Sequence, residues 1–244
     1  MNIGSSISVV VPVFNEEDNI YPLAQEIGSA LKGICDYEII FVNDCSADDT
    51  AITLTKLKNE ISEIRVIHHL QRSGQSAGLR TGIFAAKNNI IVTLDGDGQN
   101  DPADIPSLLK KYEQSQDTHF AMVTGHRITR KDSWAKRYAS KIANTIRAYL
   151  LKDDNPDTGC GLKLFDKNLF LRLPYFDHIH RFLPAVAKRE GCKIFVVPVN
   201  HRRRNHGVSK YANFQRLVVG IVDLLGVMWL IRRYPKNTDS KEQN

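Results

Sequence analysis

Long apolar runs, paired cysteines and metal-binding histidine spacings are what this 244-residue sequence has least of. The main apolar stretch, Leu217 to Ile231, is interrupted by Asp223. It falls short of the ~20 residues that cross a bilayer, so it reads as an interfacial or buried helix. The four cysteines, Cys35, Cys45, Cys160 and Cys192, are scattered and form no CxxC pair. Neither a thiolate zinc site nor a disulfide framework is expected from them. His68, His69, His178, His180 and His206 make no HxxxH or HExxH pattern, so a histidine-held metal is not expected either. No basic-then-apolar leader precedes the strand-like Ile7–Val13, which points to a reduced, cytoplasmic setting. Internal repeats and low-complexity tracts are absent.

What remains is a chain able to bury a full core. It is 42% hydrophobic and 25% charged, which rules out disorder of the whole, and its net charge of +6 favours an anionic partner. Nucleic acid, acidic lipid and a phosphorylated substrate all satisfy that charge. In the first half, continuous runs of Val, Ile and Phe at Ile7–Val13, Tyr37–Asn43, Arg65–His69 and Ile90–Leu94 predict strands covered on both faces. Segments with helical spacing lie between them: Ile20, Leu23, Ala24, Ile27 and Leu31 share a face, and Ile52, Thr55 and Leu57 do so more weakly. Alternation of this kind predicts an α/β fold with an open, mostly parallel sheet flanked by helices. Further strands are expected at Phe120–Thr124, Leu162–Phe165 and Lys193–Val199. Trp134 to Leu151 has Trp134, Tyr138, Ile142, Ile146 and Tyr149 on one side of a helix and Lys136, Arg137, Lys141 and Arg147 elsewhere, a make-up suited to an anionic membrane. The chain therefore divides into a domain over 1–212, an apolar membrane-associating or packing helix over 213–234, and a solvated tail over 235–244.

Ligands of open α/β sheets sit beyond the carboxyl ends of the strands, and here those ends are acidic. Asn15-Glu16-Glu17 follows the first strand, Asp44 to Asp49 the second, and Asp95-Gly96-Asp97-Gly98-Gln99 the fourth. In an extended chain, side chains two apart point the same way, so Asp95, Asp97 and Gln99 are expected to offer oxygens to one point. Mg²⁺ or Mn²⁺ takes such a set together with substrate phosphate oxygens. Singly, Asp44 and Asp48 also read as helix caps, Glu16 as a first-turn charge, and the Asp-Gly-Asp as an acidic turn. Three carboxylate clusters at successive strand ends are harder to explain by capping. Asp157-Thr158-Gly159 reads as a turn, and Asp157 is the candidate base if the acceptor is a hydroxyl.

The combination VVPVFNEEDNI, EIIFVNDCSADDT and LDGDGQNDP resembles glycosyltransferase family 2, of GT-A fold, and the Gln after the DxD resembles its dolichyl-phosphate mannose synthase-like branch. The likeness runs from about Ile7 to Lys210. It implies that Pro12, Phe14, Asn15, Glu16 and Asp44, with Asp95, form the nucleotide pocket, and that Asp95, Asp97 and Gln99 hold the metal. Arg127, Arg137 and the loop with Arg204 and Lys210, which resembles the R-x-x-G-x-S-K loop of polyprenyl-phosphate sugar transferases, would join Asp97 as catalytic groups. Guanidinium groups hold phosphate by paired hydrogen bonds; for Arg202 and Arg203 a solvated surface stays an alternative. The chain departs from the family at Asn43 and Cys45 around Asp44, and at Gln71, Arg72 and Ser73 in the loop after the third strand. The implied activity is inverting, metal-dependent transfer of a sugar from a UDP- or GDP-sugar to a polyprenyl phosphate at the cytoplasmic membrane face. The alternatives are transfer to a hydroxyl of a glycan or protein, and a non-catalytic nucleotide-sugar sensor or scaffold. A membrane surface is the expected partner, together with a membrane protein or a second copy of the chain; nucleic acid is not, for want of a groove-reading motif.

Overall fold

The computed structural model describes residues 6–115, 120–128, 147–153, 155–202 and 213–233. Seven strands form one sheet: β1 (Ile7–Val13), β2 (Tyr37–Asn43), β3 (Ile64–His68), β4 (Ile90–Thr93), β5 (Ala121–Arg127), β6 (Lys163–Asp166) and β7 (Lys193–Val199). Their order is β3-β2-β1-β4-β6-β5-β7. All neighbours are parallel except β6, which runs antiparallel to β4 and β5. The mostly parallel sheet expected from the sequence is what forms. Chain order reverses at β1, with β2 on one side and β4 on the other, and that reversal opens a crevice between the loops leaving β1 and β4.

The sheet is buried on both faces. Val9, Val11 and Val13 join one core with Ile39 and Phe41, while Val10 joins the other with Ile40 and Val42, as the two-residue period of a strand requires. Helix α1 (Glu17–Leu31) covers the first face through Ile20, Leu23, Ala24, Ile27 and Leu31, each at most 2% exposed. Each larger side chain among them gains roughly 1.5–3 kcal/mol by leaving water. Helix α2 (Thr50–Glu60) buries Thr50, Leu54 and Leu57 and exposes Ile52, so the weaker expected face is rotated. Leu54 wins the inward position because it lies three residues before Leu57 on the same stripe.

On the other face lies α3 (Gln75–Ala85), whose glycines permit close approach: a methyl group on Gly78 would stand 2.9 Å from the Pro12 Cβ, and one on Gly82 would overlap Val10. Close seating brings the first turn of α3 to the ends of β1 and β4. Helices α4 (Ile105–Glu113), α5 (Lys167–Arg172) and α6 (Ile179–Arg189) complete the layers described around the sheet.

Strand β5 extends to Arg127, so Gly125-His126-Arg127 belongs to the strand rather than following it; all seven residues pair with β7. Most of the basic amphipathic segment, including Arg137, lies outside the described residues. At its described end the expected faces are exchanged: Tyr149 is 82% exposed, whereas Arg147 is buried, bonded to the Asn155 carbonyl and facing Asp153. A buried carboxylate and carbonyl reward the guanidinium more than burial rewards the tyrosine.

The apolar C-terminal stretch forms α7 (Asn213–Arg232). Leu224, Val227, Met228 and Ile231 pack on the second core, Asp223 faces His178 at 2.9 Å, and Val222, Leu225 and Trp229 point outward. No helix among the described residues is long and apolar enough to cross a membrane.

Candidate active site

A cavity of about 350 Å³ opens where the strand order reverses. Its lining comes from the loop after β1 (Pro12, Phe14, Glu16), from Asp44, from the loop before α3 and its first turn (Arg72, Gly74, Gln75), from Asp95-Gly96-Asp97, from Thr158 to Gly161 with Lys163, and from His180 and Arg181. Six residues foreseen from the sequence, Pro12, Phe14, Glu16, Asp44, Asp95 and Asp97, therefore meet in one place.

Each reaches it for a local reason. Asp44 is buried and accepts hydrogen bonds from the Ser73 and Gly74 N–H groups and from His69, so it fixes the loop before α3 while facing the cavity. Burial acts to raise its pKa, but these hydrogen bonds and the His69 charge outweigh it and hold the carboxyl below its usual range. Asp44 does not cap α2, whereas Asp48 does as expected: its carboxylate accepts from the N–H of Thr50, the first residue of the helix, at 3.1 Å. Phe14 carries the Arg72 guanidinium 4.1 Å from its ring centroid, a pairing of cation and aromatic face at the cavity mouth. Glu16 sits at the head of α1 and accepts from the Asn19 amide at 2.7 Å.

Strand β4 stops at Thr93, so the Asp-Gly-Asp segment is not extended as expected; it turns, with Gly98 at φ +71° and the Gln99 N–H donating to Asp97 at 3.1 Å. The turn brings Asp95 and Asp97 together and leaves Gln99 outside the lining. Asn15, in a left-handed conformation, is also outside it; its side-chain oxygen accepts from the Ala47 N–H and ties the first two loops together. Asp95 accepts from the Gln75 amide at 2.7 Å, and its own N–H donates to Asn100. Burial, then the charge of Asp97, raises the Asp95 pKa to about 6, against the opposing pull of Lys163 and Arg127. Two hard oxygen donors of like charge in a desolvated place fit Mg²⁺ or Mn²⁺, with substrate oxygens completing the shell. Among the described residues no third acidic, cysteine or histidine ligand joins them.

Arg127 and Asp157 lie behind the Thr158–Gly161 wall, joined by two charge-assisted bonds of 2.7 and 2.6 Å. Burial acts to lower the Arg127 pKa, and the Asp157 bond and charge more than restore it. Arg204 and Lys210 lie outside the described residues, as does Arg203. Sequence reasoning missed Arg72, Gln75, Lys163, His180 and Arg181 as cavity residues. Arg72 stands among the departures from the family in the loop after the third strand, which is a usable signal; Gln75, Lys163, His180 and Arg181 reach the cavity through tertiary packing alone.

A mostly parallel sheet with a dinucleotide-like crevice and a paired-carboxylate turn defines a GT-A nucleotide-sugar fold. The model of glycosyl transferase family 2 matches residues 8–173, and the chain belongs to that family. It is 33% identical over 93% of its length to dodecaprenyl-phosphate galacturonate synthase of Rhizobium johnstonii, and 31% identical over 90% to undecaprenyl-phosphate 4-deoxy-4-formamido-L-arabinose transferase of an Enterobacter species. It spans 67% and 66% of those two proteins. In fold it is similar to glucosyl-3-phosphoglycerate synthase from Mycobacterium tuberculosis in complex with Mn²⁺, UDP-glucose and glycerol 3-phosphate: TM-score 0.68, 19% identity, covering 96% of this chain and 82% of that one. The same synthase with Mg²⁺ and UDP gives a TM-score of 0.69 at 20% identity, covering 96% and 81%.

Arg202, read from sequence as a phosphate contact or a solvated charge, is engaged otherwise. It bridges Glu26 on α1 and Asp101, each at 2.6 Å, and its N–H donates to the Gln99 carbonyl. It thereby stitches the end of β7 to the loop that carries Asp95 and Asp97. Arg202→Ala is expected to cost less than about 1 kcal/mol of stability, because the bridge is partly exposed, yet to weaken Mn²⁺ binding roughly tenfold by loosening that loop. Calorimetric titration with Mn²⁺ beside a thermal melt checks both.

Proposed function

We propose that the chain transfers a sugar from a nucleotide diphosphate-sugar to a polyprenyl phosphate, with inversion, at a membrane surface. The observation that carries this reading is the cavity at the β1/β4 reversal, where the paired carboxylates Asp95 and Asp97 meet Phe14 and Asp44. Phe14 and Arg72 offer an aromatic face and a cation to the nucleobase, and Glu16 and Asp44 accept hydrogen bonds from base or ribose. Asp95 and Asp97 would hold Mg²⁺ or Mn²⁺, and the ion would supply positive charge to the departing diphosphate. An acceptor oxygen attacks the anomeric carbon as the bond to the nucleotide diphosphate breaks, and the diphosphate leaves with that bonding pair. The relatives named for polyprenyl phosphates support the acceptor.

The ion pair behind the wall favours a phosphate over a hydroxyl acceptor. Asp157 uses both oxygens on Arg127, whereas a general base needs an oxygen directed at the acceptor. A phosphate is ionised at neutral pH and needs no base. In this reading Arg137, Arg204 and Lys210, from outside the described residues, receive phosphate oxygens, and the Arg127–Asp157 pair braces the Thr158–Gly161 wall from behind. Residues 1–212 form the transferase domain. The outward Val222, Leu225 and Trp229 of α7, with Arg232 and Arg233 at its end, support attachment to an anionic membrane on the cytoplasmic side.

The test is transfer of labelled sugar from UDP- and GDP-sugars into extractable polyprenyl phosphate with Mn²⁺, comparing wild type with Asp157→Asn. Label in the lipid phase, with the variant within about tenfold of wild type, is the expected result. A loss of about a thousandfold in the variant with a hydroxyl acceptor, and no lipid label, would move the protein to glycan or protein glycosylation. Donor binding without transfer to any acceptor would make it a sensor.

A further inference from the structure

Three cationic side chains line the cavity, and they are differently engaged. Arg72 lies over the Phe14 ring. Lys163, buried, donates to the carbonyls of Cys160 and Thr158 and stands beside Asp95. Arg181 makes no hydrogen bond, ion pair or ring contact through its side chain among the described residues, although it is half-buried and faces the same space. A guanidinium stays charged at every working pH and satisfies its fork of donors best with carboxylate or phosphate oxygens.

Its neighbour His180 is fixed. Its Nδ1 lies 2.7 Å from the Ser76 hydroxyl, and the adjacent Gln75 holds Asp95, so the first turn of α3 connects the start of α6 with the paired carboxylates. Burial first, then the charges of Arg181 and Lys163, pushes the His180 pKa down to about 3, so the ring is neutral. Neutral imidazole has one donor and one acceptor nitrogen, and with Nδ1 on Ser76 its Nε2 remains for a ligand.

We infer that Arg181 binds an anionic oxygen group of a substrate in this cavity, with His180 as a neutral hydrogen-bonding neighbour on the same wall. The group is a carboxylate on the transferred sugar or the phosphate of the acceptor; both present oxygens of the same geometry to the fork. The inference rests on the proposed transferase reading.

Arg181→Gln, Arg181→Lys and His180→Asn would be compared with wild type in steady-state transfer and in calorimetric binding. The ligands are a uronosyl nucleotide, its hexosyl counterpart and a short-chain prenyl phosphate. Arg181→Gln is expected to lower kcat/KM roughly 10- to 100-fold, with partial recovery in Arg181→Lys. His180→Asn, which keeps a neutral donor and acceptor, should fall less. A loss confined to the uronosyl donor identifies the sugar carboxylate; a raised KM for prenyl phosphate with either donor identifies the acceptor. Folded Arg181→Gln with rates and affinities within about threefold of wild type overturns the inference. Wild type that transfers nothing, yet binds one of the anions through Arg181, overturns the transferase reading and keeps the anion site; binding that is equal in wild type and Arg181→Gln overturns the site as well.

Discussion

Asp97→Ala is expected to lower sugar transfer by about a thousandfold, the scale on which removal of a preorganised charge contact to a leaving group acts. One Asp97 oxygen accepts the Gln99 N–H within the turn, and its charge presses on Asp95. Its loss removes half of the paired oxygen site, at a position beyond the end of β4. The melting temperature should stay close to wild type while Mn²⁺ affinity collapses, and calorimetry with Mn²⁺ plus nucleoside diphosphate reads the second quantity directly. Affinity should also follow pH through Asp95. With its pKa raised to about 6 in the metal-free protein, protons compete with the cation below that value, and the apparent dissociation constant should rise about tenfold per pH unit as pH falls. Above pH 6 the carboxyl is ionised and this dependence fades. Flat Mn²⁺ affinity between pH 5 and pH 7 would remove Asp95 from the metal site.

The second large effect is expected from a residue with no side chain. A methyl group placed on Gly161 would land on the carboxyl group of Asp95, overlapping its carbon and both oxygens. Neither partner yields easily. The Gly161 carbonyl is held by the Thr93 hydroxyl at 2.7 Å, and Asp95 is held by Gln75. Gly161→Ala should therefore turn Asp95 away from Asp97 and reduce transfer about a hundredfold, with an overpacking cost of about 1–3 kcal/mol. Gly226→Ala is the control, because its added methyl meets nothing within 4 Å on α7. Helix propensity alone should make that change neutral or slightly stabilising. Unimpaired Mn²⁺ binding and transfer in Gly161→Ala would show that the wall after Thr158 is not packed against the metal site in the working protein.

The two effects differ in how they were accessible. Asp97 stands in a pattern whose chemistry is readable from residue type and position after an apolar strand. Gly161 is one of 15 glycines, and only the antiparallel insertion of β6 beside β4 sets it against Asp95. The reading of Asp95, Asp97 and Gln99 as one converging set shows the same limit. It assumed extended backbone, and the turn at Gly98 sends Gln99 elsewhere.

By itself the sequence determined the strands that run parallel, the buried stripe of α1, and the acidic ends of β1, β2 and β4. These follow from local rules, since apolar run length, period and strand-end polarity are written in consecutive residues. Its spaced motifs also determined the family. Only the tertiary structure decided that Asp157 faces Arg127, that Arg202 bridges Glu26 and Asp101, and that His180 and Arg181 share a cavity with Asp95. Arg127 and Asp157 are separated by 30 positions, and Arg202 and Glu26 by 176. Charge pairing over such separations depends on the crossing of strands and helices, and residue spacing carries no record of it.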